Sequence, residues 1–211
     1  MSESVADVVA RGYDRVAQAY AGLEDGVEWP RLRRLRELLA RLPDGSRVLD
    51  LGCGNGVPAT AEIAKRHAAV GVDVSPRQIE LARQNVPDAT LSVGDVLELR
   101  YEPGSFDAIV AFYTFDHIPR ERLPEMLGLM HGWLADGGWT LFTVEEEEQT
   151  DTVAKWLGEP MFFSSYDAAT SRRLVAEAGF DIVGAEVEEQ SEGGHPVSYL
   201  WILARKREEA Q

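Results

Sequence analysis

The sequence predicts an α/β fold: one doubly wound, seven-stranded, mostly parallel sheet completed by an antiparallel closing hairpin. Three observations carry this reading. Helical apolar periodicity alternates with short β-rich runs along the chain, the pattern of a parallel sheet covered by helices. FDAIVAFYT at 106–114 is mostly apolar without alternation, as expected of a strand buried on both faces. The last two strand-like runs are joined by the turn signal SEGGH, which suits an antiparallel pair.

Two helical stretches open the chain. The second, RLRRLRELLAR at 31–41, leads into Leu42 and sets Leu32, Leu35, Leu38, Leu39 and Leu42 at helical spacing, so its arginines read as the solvated face of an amphipathic helix. PDG at 43–45 then turns the chain into the strand RVLDL. VPATAEIAKRH (57–67) reads as a helix, with Pro58 tolerated in its first turn. AAVGVDVS (68–75) is a strand, and SPRQIELARQNV (75–86) a helix with Ser75 as N-cap and Pro76 behind it. ATLSVGDV (89–96) and FDAIVAFYT (106–114) are strands. LPEMLGLMHGWLADGG (123–138) is a helix ending in glycines, and WTLFTV (139–144) the strand after it. SYDAATSRRLVAEAGF (165–180) is a helix closed by Gly179. FDIVGAEVEEQ and PVSYLWILARK form the final pair.

The whole chain, 1–211, reads as one domain, with 1–45 as an N-terminal helical cap. Hydrophobic residues at 45% and charged residues at 27% are ordinary for a soluble globular protein. No apolar run approaches the roughly 20 residues that span a bilayer, so no membrane partner is expected. The N-terminus has no basic leader followed by an apolar core, which leads to the expectation of an untargeted, cytoplasmic protein. Cys53 is the single cysteine, so an intramolecular disulfide and a cysteine-rich metal site are excluded. His67, His131 and His195 lie too far apart in the pattern to suggest a metal site. Lys plus Arg number 21 against 36 Asp plus Glu, a formal charge of −15. Such a chain repels polyanions, which makes nucleic acid a poor partner and a small molecule a better one. The oligomeric state is not legible.

Residues 48–56 read VLDLGCGNG, a strand that ends on Asp50 and runs into Gly52, Gly54 and Gly56. Three glycines at alternate positions cost conformational entropy, so a close approach to the backbone is the better reason for them. Strand, glycine loop and helix form the nucleotide-cradling unit of doubly wound sheets. A dinucleotide fingerprint, G-x-G-x-x-G, would need glycine or alanine where Val57 stands. Asp50 beside the loop suits a ligand with cationic groups better than a pyrophosphate. Asp50, Asp73, Asp95 and Phe112 all fall at or just beyond strand C-termini, the edge where open α/β sheets bind ligands.

On these motifs the sequence resembles the class I S-adenosylmethionine-dependent methyltransferases, in their small-molecule branch, over about residues 10–205. Asp50-Leu-Gly-Cys-Gly-Asn-Gly56 matches the acidic, glycine-rich first motif, and Asp73 in GVDVS the acid that binds the ribose hydroxyls. Gly94-Asp95-Val96 stands where that family sets an acid against the adenine amino group. FDAIVAFYTFDHI matches the fourth strand and the loop under the cofactor's methionine end, GGWTLFTV the fifth strand, and the final strand pair the family's antiparallel closing hairpin. YDRVAQAY resembles the helix that covers the cofactor with a tyrosine, here Tyr20. The resemblance implies a Rossmann-like methyltransferase fold, S-adenosyl-L-methionine as cofactor and S-adenosyl-L-homocysteine as product. It implies cofactor contacts from Tyr20, Asp50, Gly52, Cys53, Gly54, Asp73, Val74, Asp95, Val96 and Phe112. The expected reaction is methyl transfer to an oxygen or nitrogen of a small molecule.

Other residues allow two readings. His117 follows the fourth strand, where an imidazole is suited to take a proton near neutral pH, or else braces the loop beside Asp116. Tyr113 and Asp116 share that loop as candidate substrate contacts. Cys53 reads as a small filler in the loop. The segment 145–166 is long for a connection and carries Trp156, Met161, Phe162, Phe163 and Tyr166. It reads as a substrate pocket or lid, with Trp156, Phe162 and Phe163 as substrate contacts, or as aromatics packing a short extra helix onto the core. Three rivals stay open: a non-catalytic cofactor-binding protein, an RNA or protein methyltransferase, and a nicotinamide-dependent oxidoreductase. AFYT after the fourth strand departs from the Asn/Asp-Pro-Pro-aromatic motif of nucleic-acid amino-methylating enzymes.

Overall fold

A computed structural model of the protein describes residues 3–23, 30–192 and 195–207. The described residues form helices α1 (Val5–Leu23), α2 (Pro30–Leu39), α3 (Ala59–Ala64), α4 (Pro76–Asn85), α5 (Leu123–Trp133) and α6 (Ala168–Glu177). The strands are β1 (Arg47–Leu51), β2 (Ala68–Asp73), β3 (Thr90–Val93), β4 (Phe106–Ala111), β5 (Leu134–Glu145), β6 (Gln149–Trp156), β7 (Glu159–Ser165), β8 (Phe180–Glu192) and β9 (His195–Lys206). Seven of them make one sheet in the order β3-β2-β1-β4-β5-β9-β8. The first five run parallel, and β9 lies antiparallel between β5 and β8. Gly193 and Gly194 of the SEGGH turn signal lie outside the described residues. Among the described residues no helix is long and apolar enough to cross a membrane.

Period-two alternation divides the core into two layers. Leu49, Leu51, Val70, Val72, Ile109 and Phe142 face one layer, with α5 and α6; Val48, Ala69, Ala108, Val110 and Leu141 face the other, with Leu35 and Leu38 of α2. The chain winds outward through β2 and β3, then returns to β4 on the other side of β1. Their C-terminal ends therefore diverge at a topological switch point, where an open sheet leaves a crevice for ligands.

Three sequence expectations are corrected. The 123–138 helix stops at Trp133, because Leu134 already pairs with Phe106 as the start of β5. Gly137, at φ +69°, and Gly138 belong to a register shift in that strand, not to a helix end. The segment 145–166 holds a two-stranded hairpin, β6–β7, and not a short helix. Its turn is Leu157-Gly158, both at positive φ (48° and 91°) between the paired Trp156 and Glu159. Leucine is a rare occupant of such a turn, so Leu157-Gly158 is a weaker turn signal than asparagine-glycine. The arginines of α2 are bound rather than simply solvated. Arg33 and Arg34 bond to Glu188 at 3.0 and 2.7 Å, Arg36 to Glu62 at 3.0 Å, and Arg31 is buried.

Candidate functional site

The switch-point crevice opens into a cavity of about 640 Å³. β1 supplies its floor through the loop that follows it. Gly52 and Cys53 both donate N–H to the Val72 carbonyl, at 2.8 and 3.0 Å, which folds the chain sharply back at the strand end. Gly52, Gly54 and Gly56 have φ of 69°, 55° and 80°, a region that disfavours side chains. A β-carbon at Gly52 would lie 2.2 Å from Thr114 Oγ1, and one at Gly56 2.9 Å from Val86 Cγ2. At Gly54 it would meet nothing within 4 Å. Two glycines thus serve packing, while the third leaves open room on the cavity wall.

Asp73 ends β2 on the same wall. Its Oδ2 accepts the Gly54 N–H at 2.9 Å and its Oδ1 the Ser75 N–H at 2.8 Å, so two backbone groups fix the carboxylate plane. A carboxylate has about four lone-pair sites, which leaves acceptor capacity toward the cavity. Burial pushes its pKa up to about 6 despite those two bonds, with a small further push from Asp14. The α1 helix is tied to this point, since Asp14 Oδ1 accepts both Ser75 Oγ at 2.6 Å and the Arg77 N–H at 3.0 Å. A hydroxyl-rich group carried above Gly54 fits this arrangement.

Most of the expected cofactor residues line this cavity: Tyr20, Gly52, Cys53, Gly54, Asp73, Val74, Asp95, Val96 and Phe112. Asp50 is placed differently. It is 1% exposed, stands beneath the loop and accepts a 2.6 Å hydrogen bond from Thr60 Oγ1, which anchors the loop to the first turns of α3. Burial pushes its pKa up to about 6, opposed by the Thr60 bond and the charge of Arg31. Asp95 Oδ1 accepts the Leu97 N–H at 3.0 Å and so shapes its own turn. Burial, together with Asp50 and Asp73, pushes the Cys53 thiol up, which keeps it protonated and unreactive.

A second cavity of about 280 Å³ adjoins the first, and Tyr13, Tyr20, Tyr113 and His117 line both. Asp116, Trp156 and Phe163 lie on its wall with Tyr199 and Glu145. Phe162 does not. Its side chain packs into an apolar cluster with Val9 and Met161, and only its carbonyl approaches the site. Tyr113 holds a left-handed backbone, φ 56°, stabilised by its N–H on Thr143 Oγ1 at 2.6 Å and its hydroxyl on Gln190 Oε1 at 2.9 Å. A non-glycine residue held there by several bonds is the kind of strain found at functional sites.

His117 sits between two hydrogen-bond partners, with the Asp116 carboxylate 3.7 Å from its Nε2. Its Nδ1 is 2.8 Å from the Phe162 carbonyl, which can only accept, so the proton of the neutral ring lies on Nδ1. Nε2 then accepts from the Tyr13 hydroxyl at 2.7 Å. Tyr13 was not singled out in the sequence although Tyr20 was. The two are seven residues apart on one helix, hence on one face, and that spacing was the available signal. Arg31, which also lines the larger cavity and whose guanidinium lies 5.4 Å from the Tyr113 ring centre, was hidden among the other arginines of α2.

Fold and site together define a doubly wound α/β protein with a nucleoside-sized crevice at its switch point. A family model described as a methyltransferase domain matches residues 27–185. The chain belongs to that family and is a class I S-adenosylmethionine-dependent methyltransferase. It is 31% identical over 150 residues to trans-aconitate 2-methyltransferase of Methylobacterium nodulans, covering 68% of this chain and 57% of that one. It is 29% identical over 160 residues to the tRNA (carboxymethyluridine(34)-5-O)-methyltransferase alkbh8 of Xenopus tropicalis, covering 72% and 24%. The chain thus spans well under two thirds of these relatives. Among solved structures, 1,6-didemethyltoxoflavin-N1-methyltransferase of Burkholderia thailandensis, with S-adenosylhomocysteine bound, shares the fold at TM-score 0.69 and 21% identity, over 94% of this chain and 88% of that one.

Proposed function

We propose that the protein methylates an oxygen or nitrogen of a small molecule held in the second cavity. The observation that supports this most is the adjacency of the two cavities across Tyr13, Tyr20, Tyr113 and His117. In this reading Asp73 accepts the ribose hydroxyls of the cofactor, the open side of Gly54 admits its backbone approach, and Asp95 and Val96 flank the base. When bound, S-adenosylmethionine supplies a methyl group made electrophilic by its sulfonium. The chain's part is to align the acceptor and exclude water. Tyr113 and the β6–β7 hairpin wall the acceptor, and the Tyr13–His117 pair receives the proton that the acceptor loses.

A second reading takes up the tRNA methyltransferase relative and sets RNA as substrate. The charge of −15 counts against it, and so do the bonds from Arg33, Arg34 and Arg36 to glutamates of the same chain. Measuring S-adenosylhomocysteine release with small-molecule acceptors and with bulk tRNA separates the two. Turnover with tRNA alone would sink the small-molecule reading.

A further inference from the structure

Groups of rings wall the smaller cavity. Tyr13, Tyr20 and Trp156 form a corner with ring centres 5.5, 5.6 and 5.4 Å apart. Tyr113 and Tyr199 meet edge to face at 4.7 Å, and Phe163 lies 5.2 Å from the His117 ring. Rings favour contact with another ring, offset or edge on, so this wall selects a flat aromatic occupant over a saturated one. At about 280 Å³ the cavity holds one ring or two fused rings.

The charged groups on the wall argue for an uncharged occupant. The described lining residues include neither lysine nor arginine, so a carboxylate would find no cation there and would face Asp116 and Glu145. Nor is either acid kept for an ammonium, since Asp116 stands 3.7 Å from His117 Nε2 and Glu145 has its own partner within the chain. The proton acceptor on this wall is the Tyr13–His117 pair. With Nδ1 on the Phe162 carbonyl and Nε2 covered by the Tyr13 hydroxyl, a proton enters the pair through the Tyr13 oxygen. Such a relay works best for a donor about as acidic as the phenol it passes through, at a pKa of about 10. A saturated alcohol is a far weaker acid.

Resting on the methyl-transfer reading above, we infer that the acceptor is a phenol, an uncharged aromatic hydroxyl compound of one ring or two fused rings, methylated on its oxygen. Its hydroxyl proton passes to the Tyr13 oxygen as the Tyr13 proton moves to Nε2 of His117, 2.7 Å away. The phenol oxygen forms the O–CH3 bond while the S–CH3 bond of the donor breaks and sulfur keeps the bonding pair. The positive charge lost from sulfur is thereby matched by an imidazolium whose Nε2 faces Asp116. The ether leaves uncharged, and His117 returns one proton to water.

The test compares phenol and the naphthols with cyclohexanol, benzyl alcohol, benzoic acid and benzylamine. S-adenosylhomocysteine formation from S-adenosylmethionine is measured for each compound. Binding of each to the S-adenosylhomocysteine-loaded protein is followed by calorimetry. At least one aromatic hydroxyl compound should turn over faster than all the others by roughly tenfold or more. Trp156→Leu, checked for native melting, should narrow the binding margin of the aromatic hydroxyl compounds over cyclohexanol. Among phenols carrying methoxy, methyl or chloro groups opposite the hydroxyl, Tyr13→Phe should make the rate depend more steeply on phenol acidity than in the parent. A preference for the acid, the amine or a saturated alcohol, turnover of no aromatic hydroxyl compound, or the same acidity dependence with and without the Tyr13 hydroxyl overturns the inference. Methylation of the acid or the amine would still uphold methyl transfer, whereas failure to bind S-adenosylhomocysteine would sink that reading itself.

Discussion

Tyr13 and His117 are 104 residues apart in the chain and 2.7 Å apart in the fold, phenol oxygen to Nε2. The bond joins α1 to the loop after β4 at the wall shared by both cavities. Because Nδ1 is held by the Phe162 carbonyl, Nε2 is the nitrogen left to take a proton. Tyr13→Phe keeps the ring and the packing on Tyr20 and Trp156 but removes the hydroxyl. It should slow turnover by about 10²-fold with unchanged affinity for S-adenosylhomocysteine, the scale of a lost proton relay. A maximal rate within a few-fold of the parent would reduce the pair to a brace.

The glycine loop predicts a contrast between neighbours. Gly54→Ala points into open space and should cost about 1 kcal/mol for its positive φ, while weakening cofactor binding. Gly52→Ala drives a β-carbon into Thr114 and should cost considerably more stability. Melting curves and calorimetry on both variants check the order. Equal stability losses would mean that the loop's two faces are not different.

Buried carboxylates set the pH response. The pKa values of Asp50 and Asp73, pushed up to about 6, exceed the ordinary carboxylate value, so the folded chain holds protons that the unfolded chain has released. Stability of the cofactor-free protein should therefore fall as pH rises from about 4 to 6, by at most about 3 kcal/mol for each carboxylate. Bonds from ribose hydroxyls favour ionised Asp73, so cofactor binding should release a proton and tighten as pH rises through about 6. Denaturant melts across that range, and titrations in two buffers of different ionisation heat, measure both.

Much of the sheet and of the larger cavity was legible, because strand ends and glycine loops are local features. GVDVS placed Asp73 at a strand end without any long-range knowledge, and the apolar run 106–114 marked the central strand. The β6–β7 hairpin was not legible, since its turn places leucine at a positive φ where a sequence reader looks for asparagine or glycine. Gly137 and Gly138 misled in the opposite direction, because glycine marks a helix end and a strand irregularity alike. Asp50 stood at the expected strand end, but its bond to Thr60 depends on how α3 packs beneath the loop. Asp116 beside His117 was legible, but the hydrogen-bond partners of His117 come from α1 and β7, and no local pattern joins them.

The most direct measurement is calorimetric titration of S-adenosylhomocysteine into the parent protein and into Asp73→Asn, with the melting temperature of each recorded. The asparagine keeps the size of the side chain and one acceptor oxygen but removes the charge that receives the ribose hydroxyls. Charge-assisted hydrogen bonds of this kind are worth roughly 1.5 to 3 kcal/mol. The account predicts binding to the parent and an affinity weaker by about tenfold or more in a variant that still melts cooperatively. Equal affinity in a folded Asp73→Asn protein would contradict the placement of the cofactor in this cavity.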